Sequence, residues 1–335
     1  MLCFQRVGAA LLLLPVVVAC TENANQPPPY TFYDPDAEAQ DDAGADANAS
    51  ADFDAAKPNF TGVRIANLNC HNLYNDVIDS PETMAGAEAE STPITSVYQA
   101  HLKAVAQELV KLGGDVVMLQ EVENLAVLGD LQRRPELGGK YGYSSLITGN
   151  DPRGIDVAVL SKYPLRVVSH KGEKIYAPGS TYYYYYARDV VETHVTTPAG
   201  EFVALGIHYR SQISSNSVDD DKKRLAEANG TRQIADKLMA DSPSLPIVVL
   251  GDFNSTPDSP PGMLIKGASP AFTDVSADTP VADRWSITYS GKKLLYDTQW
   301  VNPVMWGRYV KGSAAFVRSS PTASDHSGFA ASYSL

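Results

Sequence analysis

The sequence predicts an α/β protein in which a packed pair of mixed β-sheets is flanked by helices. Two observations point there: apolar runs of strand length outnumber stretches with helical spacing, and several of those runs sit a hairpin's length apart. A doubly wound parallel sheet would instead alternate strands and helices one for one. The 276 residues from position 60 to 335 fit a single domain, and no internal repeat is visible.

The elements follow in order. Residues 63–68 read as a strand. After a polar loop, Ile94, Val97, Tyr98, His101, Leu102, Val105, Leu109 and Leu112 recur at helical spacing until Gly113-Gly114 stops the helix. Residues 115–119 form a second strand with Gln120-Glu121 at its tip. Residues 155–160 form a third, joined through Lys162-Tyr163-Pro164 to 165–168 as a hairpin. The five tyrosines at 182–186 read as a strand with aromatics on both faces, the alternative being a platform for stacking nucleotides. A Pro198-Ala199-Gly200 turn leads into 201–207, a strand ending at His208. Residues 222–239 have helical spacing through Leu225, Ala228, Ile234 and Leu238, and 247–250, 298–301 and 329–332 complete the strands.

Composition bounds the class. With 44% hydrophobic and 20% charged residues among 335, the chain is neither disordered nor membrane-embedded as a whole. Residues 1–19 differ: one arginine precedes a short apolar run, as in a secretory signal, and the run is too short to span a bilayer. Val17-Val18-Ala19-Cys20 resembles the bacterial lipobox, which implies a lipidated Cys20 at the start of the mature chain. Residues 20–59 are rich in Ala, Asp and Pro without apolar periodicity, so they form a disordered acidic linker. Nine acids and two bases fall in the first 59 residues, so most of the net charge of −12 belongs there. The remaining domain, 60–335, is only mildly acidic, and overall charge neither supports nor excludes a polyanionic substrate. Once the signal is removed and Cys20 used, Cys70 alone remains; no disulfide framework is expected, and Cys70 reads as a small buried hydrophobe.

Polar groups of one kind recur just after the apolar runs: Asn69, Glu121, His208, Asp252 with Asn254, and Asp325 with His326. A core strand is a good mount for a reactive side chain because packing fixes its rotamer. Alternation lets Asp252 and Asn254 face one ligand while Phe253 turns to the core. Oxygen ligands without a cysteine or multi-histidine cluster suit Mg²⁺ or Mn²⁺, with Ca²⁺ a further candidate, better than zinc. Each histidine wants a carboxylate to fix its tautomer: Asp156 for His208 and Asp297 for His326.

In this order the set resembles the endonuclease/exonuclease/phosphatase superfamily, the family of deoxyribonuclease I and neutral sphingomyelinases. The segments that carry it are RIANLNCHNLY (64–74), VVMLQEVEN (116–124), RGIDVAVLSKYPL (153–165), ARDVVE (187–192), GIHYRS (206–211), VVLGDFNSTPDS (248–259), LYDTQWVNP (295–303) and SDHSGF (324–329). The resemblance implies a four-layer α/β/β/α sandwich with the site at one edge. It implies Glu121 as principal metal ligand with Asn69 and Asp325 nearby, and Asp252 and Asn254 positioning the attacking water and phosphate. It further implies His326 paired with Asp297 as base or electrostatic partner, His208 oriented by Asp156 as a second catalytic histidine, and Arg188 on the phosphate. Two departures stand out: His71 occupies a position that is often glutamate, and YDTQWVNP around Asp297 is a loose match.

The expected function is an exported, lipid-anchored bacterial phosphodiesterase, monomeric and metal-dependent, acting on DNA or RNA and touching membrane only through Cys20. Arg210 with Lys222, Lys223 and Arg224 could meet a phosphate backbone. A phospholipase C or inositol-phosphate phosphatase shares the mechanism, and Trp300, Val304, Met305 and Trp306 would then be its lipid-facing patch, although core packing explains these residues more simply. A non-catalytic binding protein is the third reading, opposed by the intact residue set.

Overall fold

The β-branched runs fold as strands whose two faces are both buried, which places them between layers rather than at a surface. The computed structural model describes residues 62–79, 92–212 and 217–335; the expectations for the signal, Cys20 and the linker lie outside these residues. In chain order the first elements are β1 (Val63–Leu73), α1 (Thr95–Leu112), β2 (Val116–Val122), α2 (Leu125–Gln132), β3 (Tyr143–Ile147), β4 (Asp156–Ser161) and β5 (Leu165–Val168). Next come β6 (Ile175–Tyr176), β7 (Tyr183–Tyr184), β8 (Val191–Thr197), β9 (Gly200–His208), α3 (Ser217–Asp241), β10 (Ile247–Asp252) and α4 (Pro260–Lys266). The last are β11 (Thr273–Asp274), β12 (Ile287–Tyr289), β13 (Lys292–Leu294), β14 (Asp297–Val301), α5 (Pro303–Trp306), β15 (Ala315–Val317) and β16 (Gly328–Tyr333).

Two six-stranded sheets result, in the orders β15-β16-β1-β2-β4-β3 and β11-β14-β10-β9-β8-β5. Each is mixed, with one parallel pair at its centre, β1 with β2 and β9 with β10. Alternation along the strands then builds three apolar layers. Ala66, Leu68, Val117 and Leu119 pack on Leu102, Val105 and Leu109 of α1, while Ile65, Val116 and Met118 face the second sheet. There Val248, Leu250, Phe202 and Ala204 meet them, and the opposite face, with Val203, Leu205, Ile247 and Val249, packs on Ala228, Ala235 and Ile265 of α3 and α4. The four-layer helix–sheet–sheet–helix sandwich follows. Each such Val or Leu side chain stabilises the stack by about 1.5–3 kcal/mol. The α1 helix stops where expected, at Gly113 with φ 66°, whose N–H caps the Leu109 carbonyl.

Two expectations fail. Residues 155–168 are not a hairpin: β4 pairs with β2 and β3 in the first sheet, and β5 pairs with β8 in the second. Since β2 and β3 occupy both flanks of β4, the Lys162-Tyr163-Pro164 connection can only cross to the other sheet. The tyrosine run pairs only through Tyr183–Tyr184 with β6. Tyr182, Tyr183 and Tyr185 are exposed and lean on one another, and Tyr186 alone is buried in the core. Among the described residues no helix is long and apolar enough to cross a membrane.

Candidate active site

Strand register assembles the chemistry. At the ends of β9, β10 and β14, His208 lies opposite Asp252, and Asp252 opposite Asp297. Gly251 makes the approach of β10 to β9 possible: its φ is 132°, and a Cβ there would fall 2.1 Å from the Ile207 carbonyl oxygen. Beyond Asp252 the strand ends. Phe253 is buried edge-on against Tyr209, as expected, but Asn254 does not continue the alternation. It takes a left-handed φ of 46°, which asparagine tolerates, and this turn returns it to the side of Asp252. Its N–H donates to Asp252 Oδ1 at 2.8 Å and its Nδ2 to the Tyr209 carbonyl at 2.9 Å.

Glu121 reaches the site by a bulge. The pairing of β2 with β4 slips between Gln120 and Val122, and Glu121 adopts φ 62°. Such a backbone costs about 1–3 kcal/mol in a residue other than glycine and persists where the surroundings enforce it, typically at functional sites. Here Glu121 Oε2 accepts the Asn72 N–H at 2.8 Å. His71 and Asn72 are themselves left-handed, so four of the five non-glycine residues with positive φ among those described are His71, Asn72, Glu121 and Asn254, all lining one cleft.

The cleft has a volume of about 300 Å³. Arg188, Glu121, His208, Asp252, Asn254, Asp325 and His326 all line it, so side chains far apart in sequence converge as expected. Asn69, Asp156 and Asp297 stand behind that wall. Asp297 Oδ2 holds His326 Nδ1 at 2.7 Å, the predicted pairing, leaving Nε2 3.9 Å from Asp252 Oδ2. Asn69 was expected beside the metal. It donates its Nδ2 to Asp252 Oδ2 at 3.1 Å and accepts the His71 N–H on Oδ1, which orients the carboxylate. Asp156 was expected to orient His208. Its Oδ1 accepts the Gly149 N–H at 2.7 Å, and His208 Nδ1 is buried with no hydrogen-bond partner among the described residues. His208 Nε2 lies 3.7 Å from Asp252 Oδ2 and 3.8 Å from Glu121 Oε1. Asp325 is half exposed, with His71 Nδ1 at 4.0 Å.

Burial separates the two histidines. It pushes His208 far below the usual imidazole range, and the Arg188 and Arg153 charges push the same way, so His208 is neutral. Burial would lower His326 too, but the Asp297 charge and hydrogen bond outweigh it and raise its pKa to about 10. Asp252 is driven upward by burial and by the Asp297 charge. One fold thus sets a neutral imidazole, an imidazolium and a reluctant carboxylate side by side, the pattern that separates acid and base roles.

The oxygen-rich donors fit a divalent cation. One atom each from Asp252, Asp297 and His326 lies within 4.8 Å of the others, a buried group that could hold a metal ion, and Asp297 Oδ1 is buried without a partner. His326 Nδ1 is already committed to Asp297, and Glu121 also opens onto the cleft, where its carboxylate could hold a cation. Cys70 is inert: it is fully buried, and burial pushes its thiol upward.

The expected basic surface is largely self-neutralised. Arg210 Nε pairs with Asp220 at 2.6 Å, and Arg224 pairs with Asp221 while donating to the Arg210 and Ser211 carbonyls. The sequence reading missed Arg153, Tyr289 and Tyr296 on the cleft wall. Only Arg153 had a visible signal, the turn-forming Asp151-Pro152-Arg153-Gly154 around it.

The model of the Endonuclease/Exonuclease/phosphatase family matches residues 64–301. Solved structures share the fold. Truncated Caenorhabditis elegans TDP2 superposes with a TM-score of 0.53 at 16% identity, covering 82% of this chain and 98% of its own. The endonuclease/exonuclease/phosphatase from Bacteroides vulgatus gives 0.54 at 19%, covering 82% and 99%. The human Nocturnin catalytic domain, solved with a bound sulfate anion, gives 0.53 at 14%, covering 82% and 94%. No curated protein matches the sequence significantly.

Proposed function

The chain belongs to the endonuclease/exonuclease/phosphatase family, whose members hydrolyse phosphoester bonds with divalent metal ions, and on that premise we propose that it is an exported nuclease. The observation that carries the reading is the cleft in which Glu121, neutral His208, Asp252 and Asp297-held His326 face one another within 4 Å per step, beside Arg188. Cleaving a phosphodiester builds negative charge on the phosphoryl oxygens and the leaving alkoxide, and preformed cationic donors stabilise it. A divalent ion held by Glu121, with Asp325 or Asp252 in reach, would supply the largest share of that stabilisation.

The protein's own groups divide the remaining work. Asp252, fixed by Asn69 and the Asn254 N–H, orients the attacking water and takes its proton; its upward-shifted pKa makes it a stronger base than an ordinary carboxylate. His326, whose pKa Asp297 raises, donates to a phosphoryl oxygen in this reading, which gives the base's part to Asp252. His208 offers a neutral N–H, and Arg188 a guanidinium, to the remaining oxygens.

Nucleic acid is favoured over lipid because only part of the candidate lipid-facing patch reaches the surface. Trp300 and Met305 are buried in the core, Val304 is half-buried, and Trp306 is exposed but stacks on Tyr309 at 5.0 Å. Residues 1–19 as a signal, Cys20 as an anchor and 20–59 as a tether complete the proposal. The full-length protein incubated with plasmid, single-stranded DNA, RNA and sphingomyelin vesicles, with Mg²⁺ or chelator, tests it. Cleavage of a nucleic acid in Mg²⁺ alone is expected. Release of phosphocholine without nucleic-acid cleavage would replace nuclease by phospholipase.

A further inference from the structure

Asp151, Pro152, Arg153 and Gly154 form a β-turn closed by the Gly154 N–H to the Asp151 carbonyl at 3.0 Å. Aspartate starts such turns because its carboxylate accepts the N–H two residues on; proline pre-sets the second position, and glycine suits the fourth. Here Asp151 Oδ1 takes the Arg153 N–H at 2.9 Å. Folding the turn this way leaves Asp151 only 4% exposed, with Oδ2 shared between two guanidinium groups: Arg188 Nη2 at 2.5 Å and Arg153 Nη2 at 3.2 Å. The Tyr74 hydroxyl anchors the turn through the Arg153 carbonyl at 3.0 Å.

Asp151 is the carboxylate ion-paired to both guanidiniums, while Glu121 acts on Arg153 and Glu227 on Arg188 without a direct bond. Arg188 is 97% buried, and its Nε has no hydrogen-bond partner among the described residues, an arrangement that is costly unless a ligand completes it. Arg153 keeps 39% of its side chain exposed, and both arginines line the cleft. The two charges act on His208, which is itself 3.7 Å from Asp252. The cleft therefore runs from His326 and Asp252, past His208, to an arginine pair with capacity for a further anion.

We propose that Asp151, which ties Arg153 to Arg188 beside the phosphate being cleaved, holds Arg153 as the clamp for a second phosphate of a nucleic-acid strand next to it. Arg153 is the contact and Asp151 the positioning residue. Planar guanidiniums bind phosphate bidentately, and fixing them on a buried carboxylate removes much of the ordering cost of doing so. The proposal rests on the nuclease reading and narrows it, because a single-phosphate ester would leave the clamp empty.

The test compares the affinity of the full-length protein for thymidine 3′,5′-bisphosphate and thymidine 5′-monophosphate, with chelator present so that neither is turned over. A charge-assisted contact predicts that the bisphosphate binds at least about tenfold more tightly. Arg153→Ala should abolish that preference, Arg153→Lys should restore part of it, and Asp151→Asn should reduce it, with thermal melts verifying that each variant folds. Equal affinities in the parent protein, or a preference retained in Arg153→Ala, would overturn the clamp. Because the readout needs no turnover, a protein that prefers the bisphosphate yet cuts no nucleic acid keeps the clamp and loses the nuclease reading. A protein that cuts nucleic acid without the preference loses the clamp alone.

Discussion

Two clusters in this molecule are built from the same residue types and end in opposite states. On β8 and its neighbours, His170 and His194 share Glu192 between them, at 3.0 and 2.7 Å, and their other ring nitrogens reach Glu173 and Glu201 at 2.8 and 3.0 Å. Every imidazole nitrogen there has a carboxylate within hydrogen-bonding distance. In the cleft, by contrast, His208 Nδ1 has no partner among the described residues, and its Nε2 stands 3.7 and 3.8 Å from two carboxylates. The β8 network is a closed set of bonds. Apart from the Asp297–His326 bond, the cleft keeps His208 near Glu121 and Asp252 but unbonded, beside left-handed backbone at Glu121 and Asn254, and so leaves room for something between them. Histidines beside carboxylates do not mark a reactive site by themselves; their incomplete satisfaction does.

That contrast can be broken by mutation, most severely in the cleft. Asp252→Asn should lower kcat by about 10²–10⁴-fold, the usual worth of a general base, while leaving the melting temperature unchanged or higher, because it removes a buried charge. Loss of folding instead of loss of kcat would mean that Asp252 is structural. Asp297→Asn should cost about 10²-fold or more, since His326 would no longer be held cationic at the phosphoryl centre, with KM changing less than kcat.

On β8 the expected pattern is the reverse. Glu192→Gln should leave kcat within about twofold and destabilise the fold by about 1–3 kcal/mol, because two imidazoles lose a charged acceptor. A large activity loss in this variant would erase the distinction between the clusters.

The smallest effect concerns pH. Burial would raise Glu192, yet the bonds from His170 and His194 hold it at about 2, so its contribution is present above its ordinary value of 4.5 and fades as pH falls through about 2. Burial would lower both histidines, yet their carboxylates raise them. Their contribution is therefore complete below 6.5 and is lost as pH rises through their folded values. The stability difference between parent and Glu192→Gln should peak between about pH 4.5 and 6.5; a difference flat across pH 3–9 would show the network to be uncharged.

Much of the cleft was legible because strand ends announce themselves: β-branched runs finishing in GDFN, SDH or QE leave little choice about where the polar groups project. What was not legible depended on partners no local pattern names. A three-residue link such as Lys162-Tyr163-Pro164 reads as a hairpin whether it returns to the same sheet or crosses to the other. Val191–Thr197 intersperses histidine, threonine and glutamate and carries no apolar run to mark it as a strand, although β5 and β9 flank it. Asp156 lies in the expected neighbourhood but accepts the Gly149 N–H and leaves His208 Nδ1 without a partner among the described residues, since the group that claims a carboxylate is set by tertiary contact. Asp151 escaped notice because its acidity looks like turn chemistry, and only the fold brings Arg188 to it.

The most direct test is turnover of bis(4-nitrophenyl) phosphate and single-stranded DNA by full-length His326→Ala in Mg²⁺, beside the parent protein and a chelator control. The convergent cleft predicts a loss of about a hundredfold or more on both substrates at an unchanged melting temperature. Turnover within about twofold of the parent, with metal dependence intact, would place the chemistry elsewhere on the molecule.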